Sequence, residues 1–308
     1  MNKFIPFFKP SFSKAEQEAV LRVLHSGWLT TGCETLAFEK EFATFVNSKY
    51  ALSCNSASSG LILAMEALGV KAGKKILTTP YTFISTATSA IHLGAEVSYI
   101  DIEKGSYSMD ANLIEERLKK DRDIACIVPI HIAGNVCNMK DICEVAKKYN
   151  VFVIEDSAHA FPAKTKLGYA GTLADAGVFS FYATKTITTG EGGMVCVKDD
   201  SIAKRITTMR SHGMDRSAWD RYTSEKASYV YDIIDAGWKF NLPDILSAIG
   251  REQLKKANDF YEKRKIIAKE FNKAFSSYEC FKIPPDDEGN AWHLYLLRIN
   301  EKMLKITR

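Results

Sequence analysis

From residue 50 to residue 182, short β-branched or apolar runs alternate with amphipathic stretches, and this rhythm restricts the fold more than any other feature. Runs at 50–54, 75–79, 96–100, 125–130, 151–155 and 178–182 have the length and composition of strands. Between them, 61–68, 81–92, 111–118 and 139–149 carry apolar residues at helical spacing. Parallel strands need a crossover, and crossover helices cover the sheet, so the alternation predicts an α/β fold with a mostly parallel sheet. In such a sheet the ligand crevice lies beyond the carboxyl ends of the strands.

At 308 residues and 46% hydrophobic content, the chain has enough material for one large α/β domain and a small one. Its net charge of +4 comes from 41 basic and 37 acidic residues spread along the sequence, so no basic face points to nucleic acid. The apolar start, Phe4-Ile5-Pro6-Phe7-Phe8, is too short and too proline-broken for a signal peptide, and no run reaches membrane-spanning length. A cytoplasmic protein is expected. Seven cysteines without paired close spacing read as buried thiols rather than disulfides or a metal site.

After Gly237 the pattern changes. Residues 244–275 read as one long helix with Pro243 at its first turn, followed by a short apolar piece at 280–283, a turn at 284–289 and a strand at 292–299. The expected division is a large domain over 1–242 and an incomplete C-terminal small domain over 243–308, since one helix and one or two strands make too little core for a finished unit.

Lys185 lies between an apolar strand, Val178-Phe179-Ser180-Phe181, and a glycine-rich turn with Gly190, Gly192 and Gly193. A lysine held partly out of water loses proton affinity and becomes a reactive amine, able to join a carbonyl such as that of pyridoxal phosphate. The plain alternative is a solvated loop lysine. Asp156 weighs against it, because it ends the run Val151-Phe152-Val153-Ile154-Glu155 and suits a protonated pyridine nitrogen as well as a helix cap. The turn Asn55-Ser56-Ala57-Ser58 offers free N–H groups at a helix start, an anion site suited to a phosphate. Phe83 fits either a ring-stacking role or the core, and His159 either a bond to a ring hydroxyl or the interior.

Taken in order, these motifs match a family. The chain resembles the DegT/DnrJ/EryC1/StrS sugar aminotransferases, pyridoxal-phosphate enzymes of fold type I. The likeness is carried by Ser26-Gly27-Trp28-Leu29-Thr30-Thr31-Gly32, Thr79-Pro80-Tyr81-Thr82-Phe83, His131-Ile132-Ala133-Gly134, Glu155-Asp156-Ser157-Ala158-His159-Ala160, the Lys185 segment and Lys239-Phe240-Asn241-Leu242-Pro243-Asp244. With residues 215–222, the last motif is most similar to the branch that aminates UDP-4-keto-pentoses for lipid A modification, the UDP-4-amino-4-deoxy-L-arabinose aminotransferases.

The resemblance implies Lys185 as Schiff-base lysine and proton shuttle, Asp156 as pyridinium partner, Phe83 as stacking ring and His159 at the ring edge. It implies Ala57, Ser58 and Ser180 at the phosphate of pyridoxal 5'-phosphate, Asn241 reaching that phosphate from a second subunit of a homodimer, and Thr30 and Thr31 lining the substrate cleft. The substrates it implies are a nucleotide keto-sugar and glutamate as amino donor. Pro162 stands where the family usually has glycine after Ala158-His159-Ala160, which is expected to shift the chain near His159. Family members also continue past residue 308, so a truncated small domain is expected. Two alternatives are a sugar dehydratase, which typically has histidine in place of this lysine, and a non-catalytic sugar-nucleotide-binding relative.

Overall fold

The computed structural model describes residues 4–216, 219, 230–285 and 289–304. Part of the 215–222 segment, most of the polar excursion 215–236 and the middle of the 284–289 turn lie outside the described residues. The central sheet contains β1 (Tyr50–Cys54), β2 (Lys75–Thr78), β3 (Glu96–Tyr99), β4 (Ile124–Ile127), β5 (Phe152–Asp156), β8 (Ala176–Ser180) and β9 (Gly193–Val197). A small hairpin, β6 (Lys164–Thr165) and β7 (Gly168–Tyr169), interrupts the run between β5 and β8. Across the sheet the order is β1-β9-β8-β5-β4-β2-β3. From β8 to β3 all neighbours are parallel, and β9 runs antiparallel to both β8 and β1. The carboxyl ends of β1, β5 and β8 therefore share one edge.

Strand alternation sorts side chains to two faces. Val178 and Val195 pack with Leu61, Leu63 and Met65 of α3 (Ala57–Ala67) and with Ile206 of α7 (Asp200–Met209) on one face. Phe179, Met194 and Cys196 pack with Phe38 and Phe42 of α2 (Cys33–Val46) on the other. Beyond β4 and β5, α5 (Ala111–Lys120) and α6 (Met139–Tyr149) cover Leu77, Ile127 and Val153. Strand β9 was not among the expected strands, although every one of its residues is buried. Its sequence, Gly-Met-Val-Cys-Val, follows the glycine-rich turn so closely that turn and strand run together.

Two expectations for the C-terminal part are corrected. The long helix is two, α8 (Asp244–Lys255) and α9 (Ala257–Phe275), joined at Lys256, whose ammonium bonds Ser13 and Glu16 at the start of α1 (Lys14–Ser26). Helix α8 packs on α1 and α2, with Ala248 against Ala19 and Leu254 against the phenylalanine cluster. The run 292–299 is not one strand. Only β11 (Arg298–Ile299) pairs, with β10 (Phe281–Lys282). Trp292 adopts φ +51°, and the N–H groups of Ala291 and Leu294 donate to Gly134 (2.9 Å) and Ala133 (3.2 Å), bending the run onto the loop after β4. The expected helix at 81–92 is shorter, since α4 spans Ser85–His92.

Candidate active site

Asp156 closes β5 with its backbone held on both sides: its N–H donates to Pro129 (2.9 Å) and its carbonyl accepts from His131 N–H (3.1 Å). Its carboxylate, 6% exposed, accepts from the Thr86 hydroxyl of α4 (2.7 Å) and from Ala158 N–H (3.2 Å). Thr86 is itself joined to Thr82 (2.8 Å), so a two-hydroxyl brace fixes the carboxylate plane. The neighbouring Glu155 points to the opposite face and is fully buried. It accepts from the N–H groups of Gly171 (2.8 Å), Leu173 (2.6 Å) and Ala174 (2.9 Å) and pairs with His131 Nε2 at 2.9 Å. Cys137 N–H donates to His131 Nδ1 (3.2 Å), so Nε2 carries the proton shared with Glu155. This buried pair locks the end of the strand that presents Asp156.

Lys185 follows β8 in a loop tied down on both sides. Phe181 N–H donates to Gly192 (2.8 Å), Thr189 N–H to Phe181 (3.0 Å) and Lys185 N–H to Tyr182 (2.9 Å). Burial pushes the Lys185 amine down to about 8, against the pull of Asp156. At pH 7 about a tenth is therefore the free base, the nucleophilic form, against well under a thousandth for an ordinary lysine.

Two imidazoles complete this part of the cavity. His159 is pushed down to about 3 by burial and by the Lys185 charge, and its Nδ1 accepts from Ala133 N–H (3.3 Å), leaving Nε2 as the donor. His293 is pushed down to about 2 by burial, with His159, Lys185 and Arg264 adding to the effect. The two rings lie 4.5 Å apart. Both are neutral at physiological pH. Although the Phe161–Pro162 peptide is cis, His159 lines the cavity.

The third component is the start of α3. Ser56 caps the helix by accepting from Ser59 N–H (3.1 Å), while Asn55 N–H is anchored on Phe240 (2.8 Å). First-turn N–H groups have no acceptor within a helix and form an anion site. Gly193 makes this approach possible, because a Cβ there would lie 2.6 Å from Ser56 backbone and 2.7 Å from Ala57 N.

Asp156, Lys185, the two imidazoles and the start of α3 face one cavity of about 1160 Å³. Ala57, Ser58, Phe83, Asp156, His159, Ser180 and Lys185 line it together, as the sequence led one to expect. Phe83 stands at its mouth with its ring 70% exposed. Thr30, Thr31 and Asn241 do not line it; Asn241 Nδ2 donates to Thr31 Oγ1 (2.7 Å), which donates to Leu242 (2.6 Å). Sequence reasoning missed Thr86, which braces Asp156 from outside the cavity, and, among the lining residues, His293, Arg264 and the N-terminal Phe7–Pro10 on the outer wall. His293 carried a usable signal, being one of six histidines and set in an otherwise apolar run, but the strand assignment at 292–299 absorbed it. Among the described residues no cluster is placed to hold a metal ion, and no helix is long and apolar enough to cross a membrane.

Comparison with known proteins agrees with this geometry. The model of the DegT/DnrJ/EryC1/StrS aminotransferase family matches residues 10–308. The Bacillus subtilis spore coat polysaccharide biosynthesis protein SpsC is 39% identical over 309 residues, covering 100% of this chain and 79% of its own. Helicobacter pylori PseC, an aminotransferase involved in pseudoaminic acid biosynthesis, superposes with a TM-score of 0.88 at 30% identity, over 97% of this chain and 79% of its own. Spr1654 of Streptococcus pneumoniae, solved in a PMP form, superposes with a TM-score of 0.88 at 27% identity, over 96% of this chain and 79% of its own. A reactive amine facing a braced carboxylate across an anion site is the arrangement such a cofactor needs, and with the family match over nearly the whole chain it identifies the protein: it belongs to the DegT/DnrJ/EryC1/StrS aminotransferase family and is a pyridoxal-phosphate-dependent sugar aminotransferase.

Proposed function

We propose that the protein transfers the amino group of glutamate to a nucleotide-linked keto-sugar, at C4 of a UDP-sugar, releasing 2-oxoglutarate in the first half-reaction and the amino-sugar nucleotide in the second. The observation that carries this reading is Lys185 and Asp156 together in a cavity of about 1160 Å³, with the exposed Lys9 and Lys263 on its outer wall. That volume exceeds what a cofactor fills, and the outer lysines suit a diphosphate.

When bound, pyridoxal phosphate supplies an electron sink for charge developing at the carbon that bears the amine. Asp156 would hold the proton on the pyridine nitrogen, with Thr86 and Ala158 fixing the carboxylate that does so. Ala57, Ser58 and Ser180 would take the phosphate, and Phe83 would cover one face of the ring. Lys185 would hold the cofactor between turnovers and, as a free base, carry the proton removed from the donor carbon and returned to the cofactor side. His159 would present Nε2–H at the ring edge without adding charge.

Asn241 and Thr31 form one unit outside this chain's own cavity, which supports a homodimer in which each subunit lends them to its partner's site. The function is tested by adding glutamate without sugar to the yellow protein. The cofactor absorbance should shift, with matching release of 2-oxoglutarate, and a UDP-4-keto-sugar should then restore it. Restoration by free keto-sugars as efficiently as by nucleotide-linked ones would end the substrate assignment.

A further inference from the structure

Arg264 projects from α9 into the cavity that holds Lys185. Its Nη1 donates to the carbonyl oxygens of Trp292 (3.4 Å) and His293 (3.1 Å). No acceptor among the described residues takes its Nε or Nη2, and no carboxylate pairs with it. Four other guanidinium groups sit on carboxylates: Arg22 and Arg251 share Glu34, Arg205 sits on Glu66 and Arg210 on Glu39. Arg117 and Arg298 also bond neutral oxygens alone, but neither lines this cavity. Burial lowers the proton affinity of Arg264, because no protein charge repays its desolvation. A partly buried cation left without a counter-charge is costly, and a site that tolerates one has a ligand for it.

His293 supplies a second, independent sign. It is 9% exposed, lines the same wall, and its Nδ1 has no hydrogen-bond partner. Buried polar atoms without partners are uncommon, and one inside a cavity points to a bound group that completes it. Four basic side chains line the cavity against two acidic ones, Asp156 and Glu191, so the expected ligand is an anion.

We propose that Arg264 and His293 form an oxyanion subsite that receives the carboxylate of the amino donor, with the free Nε and Nη2 edge of the guanidinium as a fork. The subsite rests on the transaminase reading and deepens it. Placement favours the donor over the diphosphate of a sugar nucleotide. The His293 ring lies 4.5 Å from that of His159, tilted at 43°, and both imidazoles line the cavity with Lys185, so His293 belongs to the part of the cavity that holds the reacting amine. A donor carboxylate lies a few bonds from its own reacting amine, whereas a diphosphate is held off by the whole pyranose ring. The exposed Lys9 and Lys263 lie farther out, where that diphosphate would reach.

The test uses protein in which borohydride has fixed pyridoxal phosphate to Lys185, so that binding is read without turnover. Glutarate and UDP are titrated calorimetrically into wild type and variants. Arg264→Met should weaken glutarate by about ten-fold or more while UDP changes by less than about two-fold. Arg264→Lys, which keeps the charge but not the fork, should recover part of the loss, and His293→Phe should weaken glutarate by a smaller factor. Because Arg264→Met also removes bonds to Trp292 and His293, the lysine and phenylalanine variants decide the matter if it melts early. Unchanged glutarate binding in both, or a loss for UDP equal to or larger than that for glutarate, overturns the subsite. Failure to trap any adduct on Lys185 would strike the transaminase reading instead, and the same two titrations on untreated protein would then judge the subsite.

Discussion

The inner and outer walls of the cavity are made in different ways. Inside, Asp156 and Ser180 end β5 and β8, the Lys185 loop is tied to Phe181 and Gly192, and the floor rests on fully buried Phe42, Phe179 and Phe181. Outside, α9 buries only Ala257 and Ala268 along 19 residues, and Ile266, Ile267 and Phe271 face solvent. Helix α9, the irregular run after Gly289 and the N-terminal residues Phe7–Pro10 make up this wall. On the proposed reading, chemistry that tolerates little displacement sits on sheet-anchored groups, and recognition of the substrate falls to elements with few buried contacts, which open at lower cost.

The largest expected effect breaks the inner wall. Lys185→Ala should lower turnover by about 10³-fold or more, because one side chain both holds the cofactor and moves the proton, while the melting temperature of cofactor-free protein stays close to wild type. Asn241→Ala should also be nearly inactive. Mixing the two variants and letting subunits exchange should restore activity, since one site of the heterodimer would combine an intact Lys185 with an intact Asn241. No recovery after proven exchange would mean that Asn241 acts in its own chain, and the shared-site model would fall.

Stability should divide along the same line. Phe42 packs against Phe38, Phe161, Phe179 and Phe181, and Phe42→Ala should cost about 3–5 kcal/mol by urea denaturation. Phe271→Ala, at a site 42% exposed, should cost under about 1 kcal/mol. Equal losses would show that the outer wall is as integral to the fold as the inner one.

The same division governs what was legible in the sequence. Apolar strand runs ending in polar residues pointed to the carboxyl edge of the sheet, and Asp156, Ser58 and Lys185 do line one cavity there, because strand direction in a parallel sheet fixes on which edge the following turns lie. Thr86 was not legible, since its use depends on α4 beginning at Ser85 rather than at residue 81. His293 and Arg264 were hidden for a different reason. Their meeting depends on Trp292 taking a positive φ and on the bonds from Ala291 and Leu294 to the 133–134 loop, tertiary contacts that no local pattern encodes. Strand β9 escaped because a central strand in antiparallel register has no crossover helix to announce it.

The smallest expected effect is a pH slope that joins the two walls. His159 and His293 have native values of about 3 and about 2 against an ordinary 6.5, so from pH 6.5 downward the unfolded chain binds protons that the native protein refuses. The stability these two imidazoles contribute is therefore full above pH 6.5 and falls as the pH drops toward 3, by up to about 1.4 kcal/mol per pH unit for each fully buried imidazole and less for His159, which solvent partly reaches. Glu16, lowered to about 2 by its bonds to Lys256, Ser13 and Gln253 against the opposing effect of burial, changes the balance in the same direction only below pH 4.5. Between 6.5 and 4.5 Glu16 is silent; Glu103, raised by burial, titrates there with the opposite sign, but it is common to wild type and variant and cancels in their difference. Melting curves of cofactor-free wild type and His293→Phe across that window should show a shallower decline for the variant. Parallel declines would mean that His293 meets its proton as readily in the folded protein as in the unfolded chain, and the outer wall would then have to be wet where the structure holds it dry.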